Sequence, residues 1–197
     1  MSDLYDRIVI PEDRRSTSIG REHGAFIVEF LKSRPITRTL ETGFAYGCSA
    51  VHIMSATDAP HIAIDAYEDG YDNIGLANVA RFGFAHRFQF IRLPSHVALP
   101  RLLSCGVAID FGFIDGGHKF DEIFLDWYYI DRLLNRGGHV MFDDGWLEAT
   151  RMVASFIRKN RKDYREVGVP VEHVYLFEKI GRDTSDWRDF APFAPGP

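Results

Sequence analysis

At 197 residues, 46% of them hydrophobic and 26% charged, the chain has the size and composition of one globular domain with an ample core. A formal net charge of −5, with both signs scattered along the sequence, argues against a nucleic-acid partner, which calls for a basic stripe. No run approaches the roughly 20 apolar residues of a membrane span, and two cysteines, Cys48 and Cys105, make no disulfide framework, so a reducing cytoplasmic setting is expected.

Residues 1–17 read as an irregular polar arm, and Met1 to Arg15 holds no apolar run that could serve as a signal peptide. From Ser18 a helix is predicted, with Phe26, Ile27, Phe30 and Leu31 at helical spacing and Pro35 ending it. Strands and helices then alternate. Thr37–Glu41 is a strand, followed by a glycine loop and a helix over Cys48–Ala56. His61–Asp65 is the second strand, with a helix around Ile74–Phe82. Phe88–Leu93 is the third, with a helix over Val97–Leu103. Ala108–Asp115 is the fourth, with an amphipathic helix over Phe120–Leu134. Gly137–Gly138 turns the chain into His139–Phe142, the fifth, and a helix spans Glu148–Arg161. Tyr164–Val167 and Val174–Ile180 are two closing strands with no helix between them, hence a hairpin. Apolar strands alternating with helices imply an α/β, doubly wound, mostly parallel sheet with helices on both faces. The expected organisation is an arm over 1–17, one domain over 18–181 and a tail over 182–197. The arm and the tail Trp187–Pro197 are candidate surfaces for a partner copy in a homodimer or higher homo-oligomer.

The segment Glu41-Thr42-Gly43-Phe44-Ala45-Tyr46-Gly47-Cys48-Ser49 follows the first strand and opens a helix, where open α/β sheets bind ligands. Gly43 permits a tight turn and Gly47 lets backbone approach closely. Asp65 ends the second strand, placed to accept hydrogen bonds from both hydroxyls of a ribose. These features fit a nicotinamide dinucleotide and S-adenosylmethionine alike, and a glycine loop can also be only a loop. An acid before the first glycine favours the sulfonium cofactor: Glu41 would suit its cationic amino-acid end and repel a pyrophosphate. The G-x-A-x-G spacing, in place of G-x-G-x-x-G, points the same way. Tyr175 and Lys179 match the Y-x-x-x-K spacing of some dehydrogenases, but they fall in a strand, so the match reads as chance.

Three acids end neighbouring strands: Asp115 after the fourth, and Asp143 with Asp144 after the fifth. Converging like charges are costly unless a cation neutralises them, and hard oxygen ligands suit Mg²⁺. The other reading is a turn, Asp143-Asp144-Gly145, that caps the helix from Leu147.

The stretches LETGFAYGCSA, HIAIDAYE, RLPSHVALPRL, FIDGGHKF, LLNRGGHVMFDDGW and VYLFEK, in this order over Ser18 to Ile180, resemble the class I S-adenosylmethionine-dependent methyltransferases. The resemblance is to the bacterial small-molecule O-methyltransferase branch, with its catechol-type and macrocin-type relatives. It implies a Rossmann-like sheet of seven strands whose last strand is antiparallel. It also implies that Glu41, Gly43 and Gly47 line the methionine end, Asp65 the ribose, and Ser95 and His96 the adenine, although Ser95 would equally serve as a helix N-cap. Phe44, Ala45, Ser49, Ala66 and Asp115 complete the implied cofactor contacts. Asp115, Asp143 and Asp144 match the acids that hold a divalent cation in the metal-dependent relatives. Such a cation would chelate two substrate oxygens and lower the pKa of the hydroxyl to be methylated.

The relatives' base is a lysine three residues after the strand-four acid, or an aspartate two residues after it. Here Gly117 and His118 stand two and three residues on. His118, with Asp115 beside the reacting groups, is the candidate catalytic base, and capping the following helix is its alternative role. Lys119, on an exposed turn, would be protonated. Phe44, Tyr67 and Trp146 could wall the site. Trp127-Tyr128-Tyr129 reads as core. His23, His52, His61 and His139 read as structural, and Arg158-Lys159-Asn160-Arg161-Lys162 as a solvated helix end. The expected function is Mg²⁺-assisted O-methylation of a small molecule. Metal-independent methyl transfer, a nicotinamide-dependent oxidoreductase and a non-catalytic cofactor binder stay open.

Overall fold

Strands buried at every position, such as Thr39–Thr42 (β1) and His61–Ile64 (β2), need cover on both faces. The computed structural model, which describes residues 3–194, has that cover. Strands β3 (Phe88–Ile91), β4 (Ile109–Ile114), β5 (Leu134–Phe142), β6 (Tyr164–Glu166) and β7 (Tyr175–Lys179) join β1 and β2. They alternate with helices α1 (Arg21–Lys32), α2 (Cys48–Ala56), α3 (Ile74–Arg81), α4 (Ser95–Ser104), α5 (Phe120–Leu133) and α6 (Glu148–Asn160).

One seven-stranded sheet results, in the order β3-β2-β1-β4-β5-β7-β6. β7 runs antiparallel to both its neighbours, and the pairs from β3 to β5 are parallel. The expected sheet, with its closing hairpin, is therefore borne out. Leu40, Ile64 and Phe142 face α4, α5 and α6, where they pack with Leu99, Trp127 and Ile157. Phe111, Phe113 and Met141 face the other way, onto Ile27 and Leu31 of α1 and Val51 of α2. Between β1 and β4 the winding reverses, and this opens a crevice beyond the carboxyl ends of the strands. Among the described residues, no helix is long and apolar enough to cross a membrane.

Several local expectations need correction. The Gly137–Gly138 turn lies inside β5: Leu134 pairs with Ile109 and His139 with Phe111, so residues 135–138 bulge out, with Gly137 at φ +83°. The arm is not irregular. It forms 3₁₀ turns at Tyr5–Arg7 and Glu12–Thr17, and it buries Ile8 and Ile10. Asn78 of α3 ties it down: its Oδ1 accepts from Val9 N at 3.0 Å, and its Nδ2 donates to Val9 O at 2.8 Å and Tyr46 O at 3.0 Å. The tail also docks on its own domain. The Asn160 amide exchanges hydrogen bonds with the Ala191 backbone, and Phe193 packs on Phe156.

The basic run at the end of α6 is not wholly solvated. Arg161 is only 8% exposed. Its Nη2 donates to both oxygens of buried Asp131 at 3.0 Å and to Asp163 at 2.7 Å, while Tyr164 Oη donates to Asp131 at 2.8 Å. Lys179 Nζ lies 3.1 Å from Asp131, which accounts for the lysine of the Y-x-x-x-K coincidence. This cluster joins α5, α6, β6 and β7. Removing one partner leaves buried charge uncompensated, so Asp131→Ala is expected to lower the unfolding free energy by about 3 kcal/mol or more. Urea denaturation followed by circular dichroism measures this, and an unchanged midpoint would contradict the buried network.

Candidate active site

The crevice floor is set by one turn. Gly43 has φ +84°, and a Cβ there would sit 2.0 Å from the Asp115 carbonyl oxygen, so only glycine lets the β1 and β4 loops meet. Gly43 N donates to Ile64 O at 3.0 Å, and Gly47 N closes the turn on Phe44 O at 2.7 Å. Ala45 at φ +43° and Gly47 at φ +67° complete it. Asp65 locks this turn to the β2 loop. Its Oδ2 accepts from Phe44 N at 2.9 Å and Ala45 N at 3.1 Å, and its Oδ1 accepts from Tyr67 N at 2.7 Å. An ionised carboxylate has about four acceptor positions, so Asp65 keeps capacity for a ligand hydroxyl.

The cavity measures about 420 Å³, within the range of small-molecule sites. Gly43, Phe44, Ala45, Ser49, Asp65, Ala66, Ser95 and His96 all border it, as do Asp115, His118, Asp143 and Asp144. Glu41 and Gly47 do not. Glu41 alternates onto the α1–α3 side of β1, fully buried, with its Oε1 3.3 Å from His61 Nε2. Strand alternation turns it under the sheet, away from the cavity lining. Gly47 serves the turn into α2. Ser95 is not an N-cap, since α4 begins at Ser95 itself after Pro94. Phe44 borders the cavity from a buried position stacked on Phe88. Tyr67 stands exposed at its edge, and Trp146 lies outside the lining, its Nε1 donating to Asp144 Oδ1 at 2.9 Å.

The acids do converge, and histidines already meet them. His118 Nε2 is 2.9 Å from Asp144 Oδ2. His23, on α1, places Nδ1 2.8 Å from Asp143 Oδ1, with its Nε2 3.0 Å from the Glu172 carbonyl. A carbonyl can only accept, so His23 meets both neighbours best as the imidazolium. Its pKa is raised by Asp143 first, against desolvation. His23 thus pairs with an acid of the site, although it does not itself border the cavity. Its single position on a distant helix left no spacing signal. His118 is likewise raised, by Asp144 first, and Asp144 is lowered by the same contact. Asp115, chiefly through desolvation and then through Asp143 and Asp144, is pushed well above the usual carboxylate range. Asp144 adopts φ +53° in its turn, and Leu147, not an aspartate, precedes α6 as its cap residue. Single donor atoms of Asp115, His118 and Asp144 lie within 4.8 Å of one another. His118 accordingly joins the group that can surround a cation, whereas Asp143 stands apart with His23. His118 does not cap α5; Lys119 and Glu122 do.

Other residues of the site carried no sequence signal. Residues 16–19 of the arm, Thr42, Tyr71, Glu122 and Asp126 all border the crevice. Their positions depend on packing between elements far apart in sequence.

A glycine turn clamped by an acid at the switch point of such a sheet is the architecture of the class I methyltransferases. A family profile described as a methyltransferase domain matches residues 40–145, just over half of the chain, and the chain belongs to that family. No curated protein matches it in sequence. Among solved structures, a Podospora anserina methyltransferase bound to S-adenosylhomocysteine (SAH) is similar, with TM-score 0.74 and 16% identity over 91% of this chain and 88% of that one. The O-methyltransferase of Streptomyces achromogenes involved in tomaymycin synthesis, in complex with S-adenosylmethionine, gives 0.71 and 20% over 91% and 96%. A Bacillus cereus O-methyltransferase in complex with SAH gives 0.72 and 14% over 91% and 92%.

Two outcomes follow from the geometry. Gly43→Ala is expected to cost about 3 kcal/mol of stability, because φ and space both exclude a side chain there; a thermal melt read as a shift in Tm checks this. In metal-free protein, His118 is expected to titrate above its ordinary 6.5 and Asp144→Asn to bring that midpoint down, as read from the imidazole Cε1 proton by NMR. The ion pair contributes stability while His118 is charged. That contribution is lost as pH rises through the raised His118 pKa, and also as pH falls through the lowered Asp144 pKa.

Proposed function

We propose that this chain binds S-adenosylmethionine across the crevice and transfers its methyl group to a hydroxyl of a small molecule, assisted by Mg²⁺ or a similar divalent cation. The carrying observation is continuity. One cavity joins the clamped glycine turn and Asp65 to the acids and His118, so cofactor and acceptor can share it.

In this reading Asp65 accepts from the ribose and the Gly43 turn admits the methionine end. The side chains of 16–19, with Tyr71, border the cavity and limit water. The acceptor oxygen loses its proton to neutral His118 and attacks the methyl carbon. The carbon–sulfur bond then breaks toward sulfur, leaving SAH. Alignment supplies most of the acceleration. His118 can take the proton only when it is itself unprotonated, which its pairing with Asp144 opposes. Asp115 and Asp144, with Asp143 behind them, form an oxygen donor set of suitable chemistry for a hard cation, which leaves His118 free as the base. When bound, such a cation would lower the pKa of the acceptor hydroxyl. Because a protonated His118 competes with a cation for Asp144, metal affinity should rise with pH.

Metal-independent transfer is the second reading. It is favoured by His23 and His118, which already compensate the charge of Asp143 and Asp144.

Calorimetric titration with SAH, using NAD as the control ligand, tests the cofactor. Binding of SAH with a Kd on the order of micromolar and silence with NAD are expected, while silence with both would overturn the reading. Turnover of polyol, phenol and sugar acceptors that is lost in EDTA and restored by Mg²⁺ is expected next. Turnover indifferent to EDTA would select the second reading.

A further inference from the structure

Asn78 lies on α3, outside the crevice lining, and is 2% exposed. Its one amide satisfies both backbone polar groups of Val9 in the arm, and its Nδ2 also donates to Tyr46 O in the turn between β1 and α2. A single side chain thus joins the arm to the glycine turn. The junction is close on both sides. A Cβ on Gly75, at the start of α3, would sit 2.4 Å from the Ala45 carbonyl oxygen, so the helix that carries Asn78 rests on that turn. Ile8 and Ile10, on either side of Val9, are buried, and so is Ile19 just before α1. The chain between these anchors is different, because the 3₁₀ turn Glu12–Thr17 buries no residue. Yet Ser16, Thr17, Ser18 and Ile19 border the cavity, and the enclosed Ser18 hydroxyl has no hydrogen-bond partner. Cys48 Sγ, also at the cavity, lies 4.0 Å from Ile19 O, so the arm meets the crevice at the start of α2. A segment fixed at both ends with few buried contacts of its own opens at low free-energy cost.

We propose that Asn78 is a positioning residue for cofactor retention: it latches residues 11–18 of the arm as a strap over the crevice at the start of α2, and the strap must release before the cofactor can leave. This rests on the cofactor reading above. A ligand beneath the strap and the latch beside it both favour the closed arrangement, so each shifts the population the same way. Leucine is close to asparagine in size but neither donates nor accepts. In its place Val9 N, Val9 O and Tyr46 O would lose their partner, and no residue bordering the cavity would change.

The test is limited trypsin digestion with and without SAH, together with the SAH dissociation rate from surface plasmon resonance. Trypsin cuts after arginine, so exposed Arg14 and Arg15 report on the strap, while exposed Arg182 and Arg188 of the tail, outside the cavity lining, are the internal control. In wild type, saturating SAH is expected to slow cleavage after Arg14 and Arg15 about tenfold and to leave cleavage after Arg182 and Arg188 unchanged. In Asn78→Leu, arm cleavage should quicken and SAH should dissociate about tenfold faster, with tail cleavage unchanged and a cooperative thermal melt. Arm cleavage indifferent to SAH overturns the proposal, as does equal slowing at arm and tail, and both are read on wild type even if the variant fails to fold. A folded variant that releases SAH at the wild-type rate also overturns it. If wild type does not bind SAH, the cofactor reading itself has failed, and this inference with it.

Discussion

The Asp65 carboxylate is the interaction on which the active site depends. Three backbone N–H groups from two loops converge on it, and charge-assisted bonds of this kind are among the stronger polar contacts. They hold the residues after Gly43 in a turn that includes a non-glycine residue, Ala45, at positive φ. The same turn rests on the Asp115 backbone with no room for a Cβ at Gly43. Cofactor floor and acid cluster are thereby coupled: the residue that shapes one touches the backbone of the other. Strain at Ala45 is sustained by its neighbours, as is common where a site must be preorganised.

Charge compensation organises the other end of the crevice. Asp143 and Asp144 are adjacent in sequence but meet different histidines, His23 from α1 and His118 from the β4 loop. Asp115 forms no such ion pair, and its carboxyl is pushed strongly toward the neutral form. Protonated imidazoles can thus fill the electrostatic role that a divalent cation would take. This makes the site's charge state responsive to pH.

Stability of the frame is drawn from elsewhere. Arg161, Asp131, Asp163, Tyr164 and Lys179 interlock at the β6–β7 edge, and the arm and tail are strapped to their own domain by Asn78 and Asn160. The loops over the strand ends are left to carry the strained turn and the clustered acids, a usual division between scaffold and site.

Hydrophobic periodicity and glycine placement made the alternating elements, the seven strands and the crevice position legible, since these are local properties of a chain. Asp65, Asp115, Asp143 and Asp144 were legible too, because each ends a strand and parallel strands end together. Which way a side chain turns was not. Glu41 lies beneath the sheet through strand alternation, and Arg161, read as solvated, is enclosed by Asp131 and Asp163. His23 reaches Asp143, and Asp126 and residues 16–19 reach the crevice, only because α1, α5 and the arm pack where they do. The sequence by itself thus determined the architecture and the acids at its strand ends. Only the tertiary structure decided the partners of those acids, because contacts between distant segments are set by packing, which leaves no period in the sequence.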